Sequence, residues 1–156
     1  MATRSTIALE FADGTIGQVY CHWDGYLAHN GKMLLEYYSN PFILRDLIDL
    51  GSISSLASMI GTKHAFSHYD NDMTLVEFNN QYGNMTTFYG RDREEEGQEF
   101  VTHTSKESLI EHANDAWAEY VYVMKEDTWY VMFQGDENFY LLSTELAKEK
   151  DTVEVK

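Results

Sequence analysis

Residues 6–21 read TIALEF-ADG-TIGQVYC, and this stretch sets the architecture that we expect for the chain. The segments 6–11 and 15–21 are rich in β-forming residues, and the Asp13-Gly14 pair between them is a strong signal for a hairpin. Two more β-rich segments, 120–124 and 129–133, flank the polar stretch KEDT (125–128) and predict a second hairpin. The sequence therefore predicts a sheet in which most neighbouring strands are antiparallel.

Helix signals interrupt these hairpins. Asn40 is a natural N-cap, Pro41 suits the first helical position, and Gly51 follows the apolar pattern as a stop. Thr104 and Glu107 form a capping-box pair that predicts a helix to about residue 114. Two further short helices are predicted, over 33–38 and from 143 or 144 to near 150. Strands are predicted over 73–78, 85–89 and 100–103. The remaining segments are an irregular loop over 24–31 and a loop with one helical turn over 52–60.

Hairpins interrupted by helices, without strict alternation of strand and helix, are typical of the α+β class. We predict a mainly antiparallel sheet built from hairpins, with two to four short helices. A chain of this length can bury a core of its own, so we expect one domain over 1–156, with a frayed polar tail at about 151–156.

The charge balance of the chain is strongly acidic. Its 156 residues include 26 acidic and 11 basic side chains, for a formal net charge of −15. Such a charge repels nucleic acid and anionic membranes, so we expect no direct nucleic-acid binding and no membrane attachment. The single cysteine cannot form an internal disulfide, and the opening residues have no apolar run of signal-peptide length, so we expect a cytoplasmic protein.

The stretch CHWDGY (21–26) concentrates reactive and aromatic side chains at the end of a predicted strand. Cys21 and His22 are not expected to act as nucleophile and base, because adjacent residues on a strand point to opposite faces. Cys21 is expected to be a buried, unreactive core residue. Trp23 is expected to be at least half buried against the helix that begins at Pro41.

No motif in the chain predicts a metal site. His64 and His68 are four residues apart, but the residues between them favour no helix, and Ala65 stands where the zinc-protease pattern has glutamate. The stretch DND (70–72) lacks the glycine and the distal glutamate of a calcium loop. The sequence also lacks phosphate-loop, nucleophile-elbow and kinase patterns, so we predict no catalytic residue, no metal and no cofactor.

The stretch YGRDR (89–93) holds two of the four arginines of the chain, directly after a predicted strand. Arginine binds phosphate and carboxylate in a planar bidentate geometry, so Arg91 and Arg93, beside Tyr89, are candidates for contact with an anionic or nucleotide-like ligand. The alternative is local neutralisation of both arginines by Asp92 and the acidic run 94–96, on an exposed segment.

The chain resembles a family of small proteins encoded by tailed bacteriophages and by bacteria. The resemblance lies in ATRSTIA (2–8), VYCHWDGY (19–26), residues 32–38, the helix end at 50–51 and YGRDR (89–93), whereas the acidic run 94–97 departs from the pattern. It implies a phage or prophage accessory protein that acts on host machinery or host defence in the bacterial cytoplasm. It implies no catalytic residue.

Three functional hypotheses follow. In the first, the protein sequesters a small nucleotide-like ligand through Trp23, Asp24, Tyr26, Tyr89, Arg91 and Arg93. In the second, its acidic surface mimics nucleic acid and inhibits a basic host protein that binds nucleic acid. In the third, it is a hydrolase without a recognised motif. The carboxylates are spread along the chain, which favours the first hypothesis over the second, and homo-oligomer formation is left open.

Overall fold

The computed structural model describes residues 2–155, except for the side chains of Asn71 and residues 150–155. The strands of this part are β1 (Ser5–Glu10), β2 (Ile16–Cys21), β3 (Ile53–Ser55), β4 (Thr87–Phe88), β5 (Val101–His103), β6 (Tyr120–Lys125), β7 (Thr128–Phe133) and β8 (Tyr140–Leu141). The α-helices are α1 (Lys32–Tyr37), α2 (Pro41–Asp49), α3 (Leu75–Tyr82), α4 (Tyr89–Arg93), α5 (Lys106–Asp115) and α6 (Leu142–Val155). A π-helical turn, Leu27–Gly31, precedes α1, and a 3-10 turn, His68–Asn71, precedes α3.

All eight strands join one sheet in the order β4-β3-β2-β1-β6-β7-β8, with β5 also paired to β2. One edge of β2 is shared, because β5 pairs with residues 16–18 and β3 pairs with Cys21. The β1–β6 and β2–β3 pairs are parallel, and the other pairs are antiparallel. In the second parallel pair, Cys21 at the carboxyl end of β2 lies beside Ile53 at the start of β3.

Helices cover both faces of the sheet. On one face, α1, α2 and α6 bury the main core, whose fully buried members include Ile7, Leu44, Ile48, Tyr122 and Leu142. On the other face, α5 packs over a smaller core that is built from Ala8, Ile16, Leu109, Val121 and Met132. Because side chains alternate along β2, Tyr20 lies on the same second face as Ile16 and Gln18. Tyr20 is only partly buried there.

The local signals of the sequence predict several elements correctly. The mixed helix and strand content, the mainly antiparallel sheet and both hairpins are confirmed. The Asn40 carboxamide oxygen accepts a hydrogen bond from the Phe42 amide at 2.9 Å, so the predicted N-cap of α2 is confirmed. The strand over 100–103 and the helix over 33–38 are also confirmed to within a residue or two.

Other predictions are wrong. The structure has six α-helices in the described residues, more than the two to four expected. The predicted strand over 73–78 is instead α3, because Thr74 and Glu77 form a capping box that fixes a helix start. The predicted loop over 52–60 contains β3, which pairs with β2 and β4. The N-cap of α5 is Ser105 rather than Thr104, and the loop over 24–31 contains the π-helical turn.

The last helix also differs from its prediction. It begins at Leu142 and continues to Val155, past the end expected near residue 150. The predicted fraying of 151–156 concerns residues outside the described side chains and stays a prediction. Within residues 2–155, no helix is both long enough and apolar enough to cross a membrane.

Candidate functional site

The candidate site lies where β2 and β3 end. Beyond the last paired residues of these parallel strands, the His22 amide donates to the Ile53 carbonyl and the Trp23 amide donates to the Ser54 carbonyl, both at 3.0 Å. These bonds extend the pairing by two residues and hold the start of CHWDGY rigidly beside β3. Clefts at the carboxyl ends of parallel strands are common ligand sites.

A tyrosine and a histidine form a pair on this part of β2. The Tyr20 hydroxyl lies 2.7 Å from His22 Nδ1. Burial raises the pKa of Tyr20, with a smaller opposing effect from the charge of Arg4, and burial followed by the charge of Arg4 lowers the pKa of His22. The Tyr20 hydroxyl therefore stays protonated and donates a hydrogen bond to Nδ1 of a neutral imidazole. We accordingly assign the ring proton of His22 to Nε2. With that assignment, Nε2 is the donor of the His22 ring.

Arg4 lies next to this pair and is incompletely satisfied. Its Nε is buried and has no hydrogen-bond partner, the one such buried side-chain nitrogen or oxygen among the described residues. Arg4 hydrogen-bonds the Tyr20 side chain, and its charge lowers the pKa of both Tyr20 and His22. An unsatisfied buried donor costs about 1–3 kcal/mol, and more when the donor is charged.

A surface cavity adjoins the pair through Trp23. The Trp23 indole meets the His22 imidazole edge to face, with 4.7 Å between ring centroids, and keeps 44% of its surface exposed. The cavity has a volume of about 250 Å³, and we call it the Trp23 cavity. Its walls are formed by Trp23, Ser54, Ser55, Phe66, Ser67, His68, Leu75, Phe78, Asn79 and Thr87. Trp23 is thus just over half buried, but its cavity neighbours come from α3 and β3 rather than from α2.

Tyr89 and Arg93 lie beside one wall of the Trp23 cavity. The Tyr89 ring contacts Phe66, with centroids 5.6 Å apart, and the Arg93 guanidinium lies over both rings at 4.7 Å from Phe66 and 5.0 Å from Tyr89. Burial raises the pKa of Tyr89, partly offset by a hydrogen bond with Ser54 and by the charge of Arg93. Arg93 also pairs with Glu95 at the exposed surface. Stacked arginine and phenol groups suit contact with a planar anion.

Arg91 has a different role from the one considered for it. Its side chain is only 13% exposed, so the expectation of an exposed segment is wrong at this residue. Its Nε donates to the Asp92 carboxylate at 2.9 Å, and its terminal nitrogens donate to the carbonyls of Ile60, Gly61 and Thr86. Each guanidinium nitrogen therefore has a protein acceptor. This geometry favours local neutralisation for Arg91 and gives a ligand contact there no support.

Asp92 and His64 complete this buried polar cluster. The Asp92 carboxylate also accepts from the backbone amides of His64 and Phe88, at 3.1 and 2.8 Å. His64 bonds the Thr62 carbonyl through Nδ1 and the Thr87 hydroxyl through Nε2. The cluster fixes the segment around residues 60–64 against β4 and α4, which positions one side of the Trp23 cavity.

The remaining residues of CHWDGY are structural. Cys21 is fully buried, and burial raises the pKa of its thiol to about 12, partly offset by a hydrogen bond from Asn30. Asp24 takes a left-handed backbone conformation, and Gly25 lies so close to Thr3 and Ser5 that a Cβ would meet them at 2.8 and 2.7 Å. Tyr26 precedes the π-helical turn and contacts His29. Neither Asp24 nor Tyr26 is among the residues that form the Trp23 cavity.

The geometry shows no metal centre in the part of the chain that it describes. No three histidine, cysteine or acidic side chains in that part lie close enough together to hold a metal ion. His64 is buried in the Asp92 cluster, whereas His68 lies in the 3-10 turn with its ring against Tyr69.

Sequence reasoning missed Arg4, Tyr20 and Phe66. Alternation along β2 offered a signal for Tyr20, since it lies two residues before His22 and so shares its face. No local signal connects Arg4 or Phe66 to Trp23, because only the folded sheet brings their segments together. No protein-family model, curated protein or solved structure matches the chain.

Proposed function

We propose that the protein binds a small anionic ligand with one planar ring system, such as a mononucleotide, at the Trp23 cavity. The observation that carries the proposal is the Trp23 cavity itself, which the half-exposed Trp23 indole lines together with Phe66 and beside which the Arg93 guanidinium stacks. Arg4, whose buried Nε lacks an acceptor, and the Tyr20–His22 pair lie next to Trp23 and are not among the lining residues. Arg4 and His22 both offer donors, so the complementary ligand group is a phosphate, a carboxylate or a carbonyl oxygen.

The aromatic walls of the Trp23 cavity account for the ring of the ligand. Trp23 and Phe66 both line it, and a base stacked on an aromatic side chain gains about 1–3 kcal/mol. Sites for drug-sized ligands are usually about 300–1,000 Å³. A cavity of about 250 Å³ therefore suits a single ring system rather than a dinucleotide.

The setting we propose follows from the sequence resemblance. A phage or prophage accessory protein with such a site would lower the concentration of a nucleotide-like signal in the bacterial cytoplasm. Sequestration needs no catalytic group, and the Cys21 thiol, which is buried and protonated, offers no nucleophile at this site.

Fluorescence titration with the four ribonucleoside monophosphates tests the proposal. Stacking should quench Trp23. Trp23→Ala lacks this reporter, so its affinity for the same nucleotides is measured by calorimetry and should be weaker by roughly 1–3 kcal/mol. Trp117→Ala is the matched control, because Trp117 is 69% exposed and does not line the Trp23 cavity. Arg4→Gln should weaken binding by about 1.5–3 kcal/mol, the value of a hydrogen bond to a charged group.

Native mass spectrometry of protein isolated from cells complements the titration. A retained small molecule that is lost in Trp23→Ala and kept in Trp117→Ala supports the site. Absence of any retained ligand, together with no quenching by any of the four nucleotides, contradicts the proposal. Conversion of a nucleotide during the titration would instead favour the hydrolase hypothesis.

A further inference from the structure

A groove runs along α5, the helix that packs over the second core. Two adjoining cavities of about 390 and 100 Å³ share Ile110, Asn114 and Glu137, so they form one continuous depression, which we call the α5 groove. Its floor is apolar, with partly buried Ile110 above buried Val121 and Met132. A depression of this kind can accept one or two apolar side chains from another molecule.

Carboxylates line the α5 groove. Glu107, Glu111 and Asp115 follow one another at intervals of four residues, so they form a row along one face of α5 with steps of about 6 Å. Asp136 and Glu137, which follow β7, also line the groove, and the Asp136 carboxylate accepts hydrogen bonds from Asn138 and from the Tyr140 hydroxyl. Among the ion pairs of the described residues, none involves these five carboxylates.

The lysine of this region does not neutralise the rims. Lys106 Nζ donates to the backbone carbonyl of Glu137 at 2.7 Å and lies over the Phe139 ring at 4.5 Å. Its charge is thus directed toward a carbonyl and an aromatic face. The α5 groove therefore combines an apolar floor with rims on which five carboxylates face one lysine.

We propose that the α5 groove docks a basic amphipathic helix of a partner protein. Lysine or arginine side chains at intervals of four residues would match the carboxylate row, and an apolar side chain between them would pack on Ile110. Charge decides the class of occupant: a second copy of this chain, nucleic acid and anionic membrane all carry the sign that the rims repel. This surface is distinct from the Trp23 cavity and does not depend on ligand binding there.

The proposal can be tested by calorimetric titration with a synthetic helical peptide of leucine and arginine. Its leucines and its arginines recur at intervals of three and four residues, so that each type forms one face of the helix. Glu111→Lys should weaken binding at least about tenfold, because it reverses one charge at the centre of the row. Glu126→Lys is the matched control, since it makes the same charge change at the exposed β6–β7 turn. Binding should also weaken as salt rises, because the paired charges are exposed.

Each outcome of this titration bears on the proposal. A loss confined to Glu111→Lys, with amide shifts in α5 seen by NMR, supports docking in the α5 groove. Equal losses in both variants would show attraction to net charge alone and would overturn it. Equal affinity for a peptide whose leucines are replaced by glycine would remove the role of the apolar floor. Nucleotide quenching of Trp23 should be the same in Glu111→Lys as in the wild type, so failure of either proposal can be recognised separately.

Discussion

Replacing Arg91 with Gln should destabilise the fold by about 3–5 kcal/mol, the usual cost of removing one partner of a buried ion pair. The Asp92 carboxylate has no exposed surface, so the substitution leaves a buried negative charge without its counter-charge. Three backbone carbonyls, those of Ile60, Gly61 and Thr86, lose their charged donor at the same time. The shorter carboxamide of glutamine can replace only part of these bonds.

Arg93→Gln is a close control for this experiment. Arg93 is half exposed and pairs with Glu95 at the surface, so the same substitution two residues away should cost less than about 1 kcal/mol. Asp92→Asn should cost less in the Arg91→Gln background than in the wild type, because the shared pair is then already lost, and it should keep a cost of its own because both carboxylate oxygens accept from the His64 and Phe88 amides.

Urea unfolding followed by tryptophan fluorescence measures both effects. The midpoint should fall strongly for Arg91→Gln while the slope of free energy against urea stays constant. A loss below about 1 kcal/mol for Arg91→Gln would refute the reasoning, because surface pairs alone have such small values. Arg91 would then again be a candidate for contact with an anionic ligand.

Three other predictions concern buried groups. The Cys21 thiol, with a pKa of about 12, should react slowly with a thiol reagent at neutral pH until denaturant is added, and rapid native labelling would contradict its burial. Trp129→Ala should cost about 3–5 kcal/mol in urea unfolding, because Trp129 is 97% buried and donates to the Tyr38 carbonyl, whereas Trp117→Ala should change stability little. Burial, followed by the charge of His112, lowers the pKa of His103 from its ordinary 6.5. As the pH falls, His103 therefore takes up a proton in the unfolded chain before it does so in the folded chain, and the stability that is present above pH 6.5 is lost as the pH falls through the folded pKa. His103→Gln should make the free energy of unfolding depend less on pH in this range, which urea unfolding at several pH values would measure.

The candidate site shows which features of a sequence are local. CHWDGY drew attention to Trp23 because aromatic and reactive side chains are dense there, and the structure places Trp23 at a cavity. The same density gave no reason to separate Trp23 from Asp24 and Tyr26, which lie in the turn after it. A turn reverses the chain within a few residues, so neighbours in sequence do not share a surface.

The sequence by itself determined the elements that depend on neighbouring residues. Asp13-Gly14 fixes the first hairpin, and Asn40 with Pro41 fixes the start of α2, because caps and tight turns are satisfied within a few residues. The Thr74–Glu77 capping box carried the same kind of information, but weak alternation over 73–78 was taken to indicate a strand. The reciprocal hydrogen bonds of this capping box favour the helical periodicity over the strand periodicity in this segment.

Only the tertiary structure decided the pairings between distant segments. The parallel β1–β6 and β2–β3 pairs, the burial of Arg91 and the meeting of Arg4 with Tyr20 and His22 join residues far apart in the chain. Two arginines followed by a run of glutamates, as in residues 91–96, are typical of a solvent-exposed segment. Whether its charge faces solvent or a buried carboxylate depends on which segments pack against it, and that is set by the closing of the sheet and core as a whole.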